Sequence, residues 1–201
     1  MTQVILVEWE QMYFSQVINH RLMRSLIFFS LFVLSIVVQG QNLPFSVHLK
    51  PVSMPSLGGL QSYAYGQHNG HWVFIGGRLD GLHRRQPWAS FDIAGHNNQV
   101  WVVDVQNQQV WTSDLLSLPT PLQEQMSATN LEFIQKGDRL YLIGGYGYSG
   151  IIGDHRTHPY LSSIHLPGLI QAVKSGGSLA AHCRQINDPY FAVTGGYVLD
   201  M

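Results

Sequence analysis

Residues 140–149 read LYLIGGYGYS, a short apolar run closed by Gly144 and Gly145 and followed by more glycine and tyrosine. The same order returns at 72–77 as WVFIGG and at 191–196 as FAVTGG. Four apolar residues are too few for a helix, and their near-continuous character suits a strand buried on both faces. Three repeats of strand followed by Gly-Gly make a local accident a poor explanation.

Aligning the chain on these pairs gives three units, 62–77, 131–145 and 183–196. Each contains an extended run, a tight turn, a second apolar run and the glycines. The turns fall at Asn69-Gly70, Gly137-Asp138 and Asn187-Asp188, residue types that accept turn geometry cheaply. The pairs Gly76-Gly77, Gly144-Gly145 and Gly195-Gly196 then have a physical task. Where a strand ends in a crowded place, a glycine tolerates positive φ and close backbone approach. A further hairpin follows the first pair: VWVVDV at 100–105, a turn at Gln106-Asn107, then VWTSD at 110–114. One whole unit is therefore four strands, near 60–66, 71–76, 99–105 and 108–113. Four antiparallel strands make the blade of a β-propeller, and a unit near fifty residues falls in the kelch range.

On these residues the chain resembles exported, bacterial-type kelch-repeat proteins: apolar strand, Gly-Gly, variable loop, a strand with aspartate and a strand with tryptophan. Gly76, Gly77, Trp101, Asp104 and Trp111 carry the pattern in the first unit, and Gly144 and Gly145 in the second. The resemblance spans residues 45–201. The second glycines are 68 and then 51 residues apart, and the second unit has no late tryptophan, offering 160–166 and 169–173 as strands instead. The resemblance implies an all-β fold, an incomplete kelch-type β-propeller of about two and a half four-stranded antiparallel blades. Blades are expected at 60–114 and 129–173 with half a blade beyond, and residues 45–49 as an extra outer strand. So few blades form no ring, which points to a piece of a longer propeller or to closure by oligomerisation. Open blade faces invite self-association.

The N-terminus is of another kind. Residues 26–38, LIFFSLFVLSIVV, are polar only at two serines, with Arg21 and Arg24 ahead and Gly40 just beyond. A basic start, a short apolar core and a small residue mark a helical secretory signal, and about twenty residues would be needed to span a membrane. The expected division is an upstream extension at 1–22, a signal peptide or anchor at 23–40, and the propeller at 41–201. The location implied is secreted or cell envelope, periplasm or outer surface, with membrane contact only through an uncleaved anchor. Export permits disulfides, but Cys183 is the only cysteine and reads as a buried strand residue. The net charge is −1 with 11% charged residues, which provides no electrostatic footprint for nucleic acid.

Chemistry is harder to find. The loop 78–98 holds the densest polar and aromatic mixture, including Asp80, His83, Arg84, Arg85 and Trp88, with Asp92 and His96 beyond. Arg84 and Arg85 suit a carboxylate or sulfate and Trp88 a sugar face. The plainer alternative folds the loop over its own blade through Trp88 and Phe91. His155 and His158, near Asp154, sit in a glycine-rich stretch read as loop and do not complete a zinc ligand set. Neither HExxH nor G-x-S-x-G occurs, and no cofactor or metal is expected. TPLQEQM at 120–126 reads as one helical turn with Thr120 as cap and Pro121 first inside. The expected function is a binding module for protein or glycan ligands. The alternative implied by the resemblance is a propeller enzyme of the sugar-acid epimerase or copper oxidase type. Arg84, Arg85 and Asp80 are the clustered epimerase candidates, while Cys183 lacks an oxidase ligand set.

Overall fold

The computed structural model describes residues 23–26, 29, 45–81 and 91–199, in two units, 1–50 and 51–201. In the first unit, residues 23–26 and 29 are helical. Residues 46–50 carry no regular structure, so the extra strand expected there does not form. The extension at 1–22 and most of the apolar run lie outside the described residues. Among the described residues no helix is long and apolar enough to cross a membrane.

The second unit is built on two four-stranded antiparallel sheets. Sheet 1 is β1 (Ala64–His68), β2 (His71–Ile75), β3 (Gln99–Asp104) and β4 (Gln109–Asp114), hydrogen-bonded in that order. Asn69 and Gly70 turn β1 into β2 with φ of 45° and 76°. Asp104 shapes the next turn, its carboxylate accepting from the Asn107 backbone N–H at 3.0 Å and from the Asn107 amide at 2.8 Å. Strand alternation sorts the side chains. Ala64, Val73, Ile75, Val100 and Val102 are fully buried on one face. The other face carries Tyr65, Trp72 and Phe74, which are only partly covered, so burial on both faces does not hold.

Sheet 2 has the same meander from four later strands: β5 (Glu132–Lys136), β6 (Arg139–Ile143), β9 (Tyr160–His165) and β10 (Cys183–Asn187). The hairpin β7 (Tyr146–Ser149) and β8 (Asp154–Thr157) is inserted after β6, where the sequence reads as loop. Helix α1 (Thr120–Met126) precedes the sheet, with Pro119 rather than Thr120 at the N-cap. Helix α2 (Leu166–Ser175) follows β9.

Two expectations are corrected here. Residues 169–173 are helix, not strand: the His165 ring accepts from the Gly168 N–H, Pro167 lies in the first turn, and Gly176 closes the helix at φ 72°. The fourth strand of the unit is Cys183–Asn187, pairing with β9, so it does not open a third unit. Residues 191–194 form no strand; Pro189–Phe191 is a 3₁₀ turn and irregular chain follows. The described residues thus hold two four-stranded sheets and the two-stranded β7–β8 sheet, without the half blade expected after them.

The core lies between the sheets. Ala64, Val73, Ile75, Val100 and Val102 of sheet 1 share one apolar cluster with Leu140, Leu142 and Ile164 of sheet 2 and Leu166 and Leu169 of α2. Each fully buried leucine or isoleucine contributes about 1.5–3 kcal/mol of transfer free energy. Gln135 clamps the inner strands, its amide accepting from Gln67 N and donating to Gln67 O, each at 2.8 Å.

The glycine pairs join the units. Gly77 N donates to Ala128 O at 2.9 Å, and Asn130 N to Ser62 O at 3.1 Å. The same pattern returns further on: Gly145 N donates to Val193 O at 2.9 Å, and Gly195 N to Asn130 O at 3.1 Å. Gly76, Gly77, Gly144 and Gly145 all have φ between 62° and 88°. A Cβ on Gly76 would strike the Ala128 carbonyl, and one on Gly144 the Val193 carbonyl. Gly195 plays a different part. With φ 73° it stands where Ser62 and Asn130, both at 54°, stand before their sheets. The third pair therefore opens a unit, whereas the first two close a strand.

Candidate functional site

The segments that leave the glycine pairs converge into a buried polar cluster. Arg78 follows the first pair directly, bridges Gln61 and His96 in β fashion, and is 2% exposed. Its Nε donates to Asp80 Oδ1 at 2.9 Å, and its Nη2 to Asp80 Oδ2 and to the Asp92 carbonyl. The guanidinium also lies 5.7 Å from the Phe91 ring centroid. The hydrogen bond from Arg78 holds the Asp80 carboxyl below its ordinary value. Gly95 is required beside this pair, since a Cβ there would strike both Arg78 and Asp80.

These contacts fix the chain on either side of residues 82–90. Leu79 N donates to Gly95 O at 2.9 Å, and the Gln61 amide donates to Gly81 O. On the far side, the His155 ring meets the Phe91 carbonyl at 2.7 Å and stacks on Tyr146 at 5.9 Å. His83, Arg84, Arg85 and Trp88 lie outside the described residues. Asp80 alone of the loop candidates is described, and it anchors the near side through Arg78.

Behind these segments sit two histidines. His96 is 6% exposed and His158 fully buried. Among the described residues, Nε2 of His96, both ring nitrogens of His158 and Nη1 of Arg78 have no hydrogen-bond partner. Burial drives both imidazoles down to about 4, with Arg78 adding repulsion at His96 and Glu124 partly opposing the shift at His158. Both rings face Gly147: a Cβ there would lie 3.4 Å from His158 Nε2 and 3.4 Å from His96 Cε1. Glu124, on α1, accepts from the Ser149 hydroxyl at 2.7 Å. Gln125 beside it is fully buried, donates to Tyr160 O at 2.8 Å, and accepts from Ser162 at 2.6 Å and Gln185 at 3.0 Å. It ties α1 to three points of sheet 2.

Sequence reasoning missed this cluster because His96, Glu124, Ser149 and His158 come from four separate segments. The one available signal was position: Arg78 follows one glycine pair directly, and Gly147 stands two residues past the other. His155 and His158 are brought together with Tyr146 and His96 respectively, not with each other as ligands. Among the described residues no group of three or more His, Cys, Asp or Glu is placed to hold a metal ion. Cys183 is buried in β10 and its thiol is pushed up to about 11, which leaves little thiolate at neutral pH.

The chain matches no protein-family model and no curated protein.

Proposed function

We propose that this chain is an exported binding module of the kelch-repeat propeller type, whose protein or glycan ligand is met by the loops beyond the glycine pairs. The observation that carries the reading is the repeated junction. Two sheets of one strand order are each closed by a left-handed glycine pair whose second glycine donates to the segment leading into the next unit. Repetition of a sheet with variable loops at one end is how propellers present ligand surfaces. Between the segments held by Arg78 and His155, the sequence carries Arg84, Arg85 and Trp88, suited to an anionic group and a sugar face.

Asp80 favours binding over the epimerase alternative. A carboxylate paired with Arg78 stays ionised at neutral pH and is a poor proton carrier. Export rests on the apolar run at 26–38 and its basic flank. The test is binding of the full chain to a glycan array and to immobilised envelope proteins. Specific capture that falls at least about tenfold with Arg84→Ala or Trp88→Ala supports the reading, since that is roughly what a charge-assisted or stacked contact contributes. Capture indifferent to both variants, or none at all, overturns it. N-terminal sequencing of the exported form should begin just beyond Gly40.

A further inference from the structure

Among the described residues, sheet 1 has an open side. Met54, Tyr63, Tyr65, Trp72, Phe74 and Val103 line a groove of about 530 Å³, with Tyr65 44% exposed. Its aromatic rings pack on one another, Tyr63 on Phe74 at 5.1 Å and Tyr65 on Trp72 at 5.8 Å.

Six of the nine residues that line it have apolar counterparts inside the molecule. A shift of 68 residues carries Ser62 onto Asn130 and Gly77 onto Gly145, the matched points of the two junctions. The same shift carries Met54 onto Leu122, Tyr63 onto Leu131, Tyr65 onto Phe133, Trp72 onto Leu140 and Phe74 onto Leu142. Strand register adds the last pair, since Val103 lies opposite Trp72 as Ile164 lies opposite Leu140. Leu122, Leu131, Leu140, Leu142 and Ile164 are all buried in the core, and Phe133 packs against it. What covers them is the face of sheet 1 that carries Ala64, Gly66, Val73 and Ile75. The groove is thus the uncovered version of the junction between sheets 1 and 2. Helix α2, which fills part of that junction, has no counterpart after β3, where residues 105–108 turn straight into β4.

The missing cover has a counterpart too. Shifted by 68, Ala64, Gly66, Val73 and Ile75 become Glu132, Ile134, Tyr141 and Ile143. These share the outward face of sheet 2 with Leu161 and Ile186, as their register requires. That face is only partly covered, Ile186 being 58% exposed.

We infer that the chain associates head to tail with a second copy of itself, the aromatic groove of sheet 1 in one copy receiving the outward face of sheet 2 in the next. The inference rests on reading the sheets as successive units of one repeat. It repeats the internal junction between molecules and is heterologous, so each copy has one donor face and one acceptor groove. Residues 196–199 stand on the outward face where β1 of an incoming unit belongs. Gly196 lies against the Glu132 carboxylate, Gly195 N is tied to Asn130 O, and Tyr197 and Leu199 beyond are exposed, so an incoming unit takes the place of residues 197–199.

Sedimentation velocity on the full chain, from about 1 to 100 µM, covers the affinities of ordinary interfaces. The wild type should form dimers and larger species as concentration rises. Tyr65→Glu blocks the groove and Tyr141→Glu blocks the outward face, and each alone should weaken association at least about tenfold, because a carboxylate must be desolvated. Mixed in equal amounts, the two variants should regain association and stop at the dimer, since only one open groove and one open face remain per pair. Far-UV circular dichroism checks that each variant keeps its sheets, and Ile186→Glu replaces Tyr141→Glu if that substitution unfolds the chain. A wild type monomeric throughout, single variants that associate like it, or a mixture that stays monomeric overturns the inference. Ligand binding lost with Arg84→Ala leaves this association unchanged, so the two readings fail separately.

Discussion

Sheets 1 and 2 share strand order, junction and a two-residue turn in their first hairpin, yet differ in their other two connections. Sheet 1 passes from β3 to β4 in a four-residue turn, whereas sheet 2 inserts α2 and a 3₁₀ turn between β9 and β10. After its glycine pair sheet 1 reaches β3 only at Gln99, with a 3₁₀ turn at Ile93–Gly95 among the described residues between, whereas sheet 2 adds the hairpin β7–β8. The parts held in common are those where backbone meets backbone: positive-φ residues and the carbonyls they approach. There a side chain has no room, so substitution is restricted. The connections lie outside that contact and vary freely in length.

This comparison is most directly broken at the glycines. Gly144→Ala should destabilise the chain by about 3 kcal/mol, combining left-handed strain of about 1–2 kcal/mol with displacement of the Val193 carbonyl. Gly195→Ala, at a similar φ but with nothing within 4 Å of the added carbon, should cost only about 1–2 kcal/mol. Urea unfolding of both variants measures the difference. Equal losses would mean that the third pair belongs with the first two after all.

The buried histidines sharpen the contrast between the glycine end of the sheets and their apolar centre. His96 and His158 fall from the ordinary 6.5 to about 4 on folding. Their neutral forms are favoured in the folded chain, so the stability they permit is complete above about pH 6.5 and lost as pH falls towards 4. A displacement of that size corresponds to up to about 3 kcal/mol for each ring. His158→Phe should flatten the fall in stability between pH 6.5 and 4 by about half. An unchanged slope in thermal unfolding across that range would show that His158 is not held neutral.

The smallest expected effect concerns repeat position alone. Ser62 and Asn130 occupy left-handed backbone, where Gly195 needs no strain. Ser62→Gly should therefore raise stability by up to about 1 kcal/mol, seen as a few degrees in Tm, because relief of strain outweighs the added unfolded-state freedom. A lower Tm would show that the serine side chain has a role of its own.

The legibility of these features follows from how local they are. Both hairpins of sheet 1 were readable, because Asn69-Gly70 and the turn before Gln108 are set by neighbouring residues. The second unit was readable through β6 and again at 160–166, where β9 forms, but not beyond. The stretch HLPGLIQAVKSGG at 165–177 looks strand-like when apolar runs are counted, although proline near its start and glycine at its end are helix signals. The third glycine pair misled for a related reason. A pair after an apolar run looks the same whether it closes a strand or opens a unit, and only its hydrogen-bond partner distinguishes the two.

By itself, then, the sequence determined an all-β chain with glycine pairs at strand ends, because turn chemistry and short apolar runs act over a few residues. Only the tertiary structure decided that Cys183–Asn187 completes sheet 2, that Arg78, His96 and His158 share one buried cluster, and that an aromatic groove lies along one side of sheet 1. Those facts depend on partners distant in the chain, such as Cys183 with Ile164 and Arg78 with His96. Burial and backbone hydrogen bonding fix that neighbourhood, and no local stretch encodes it.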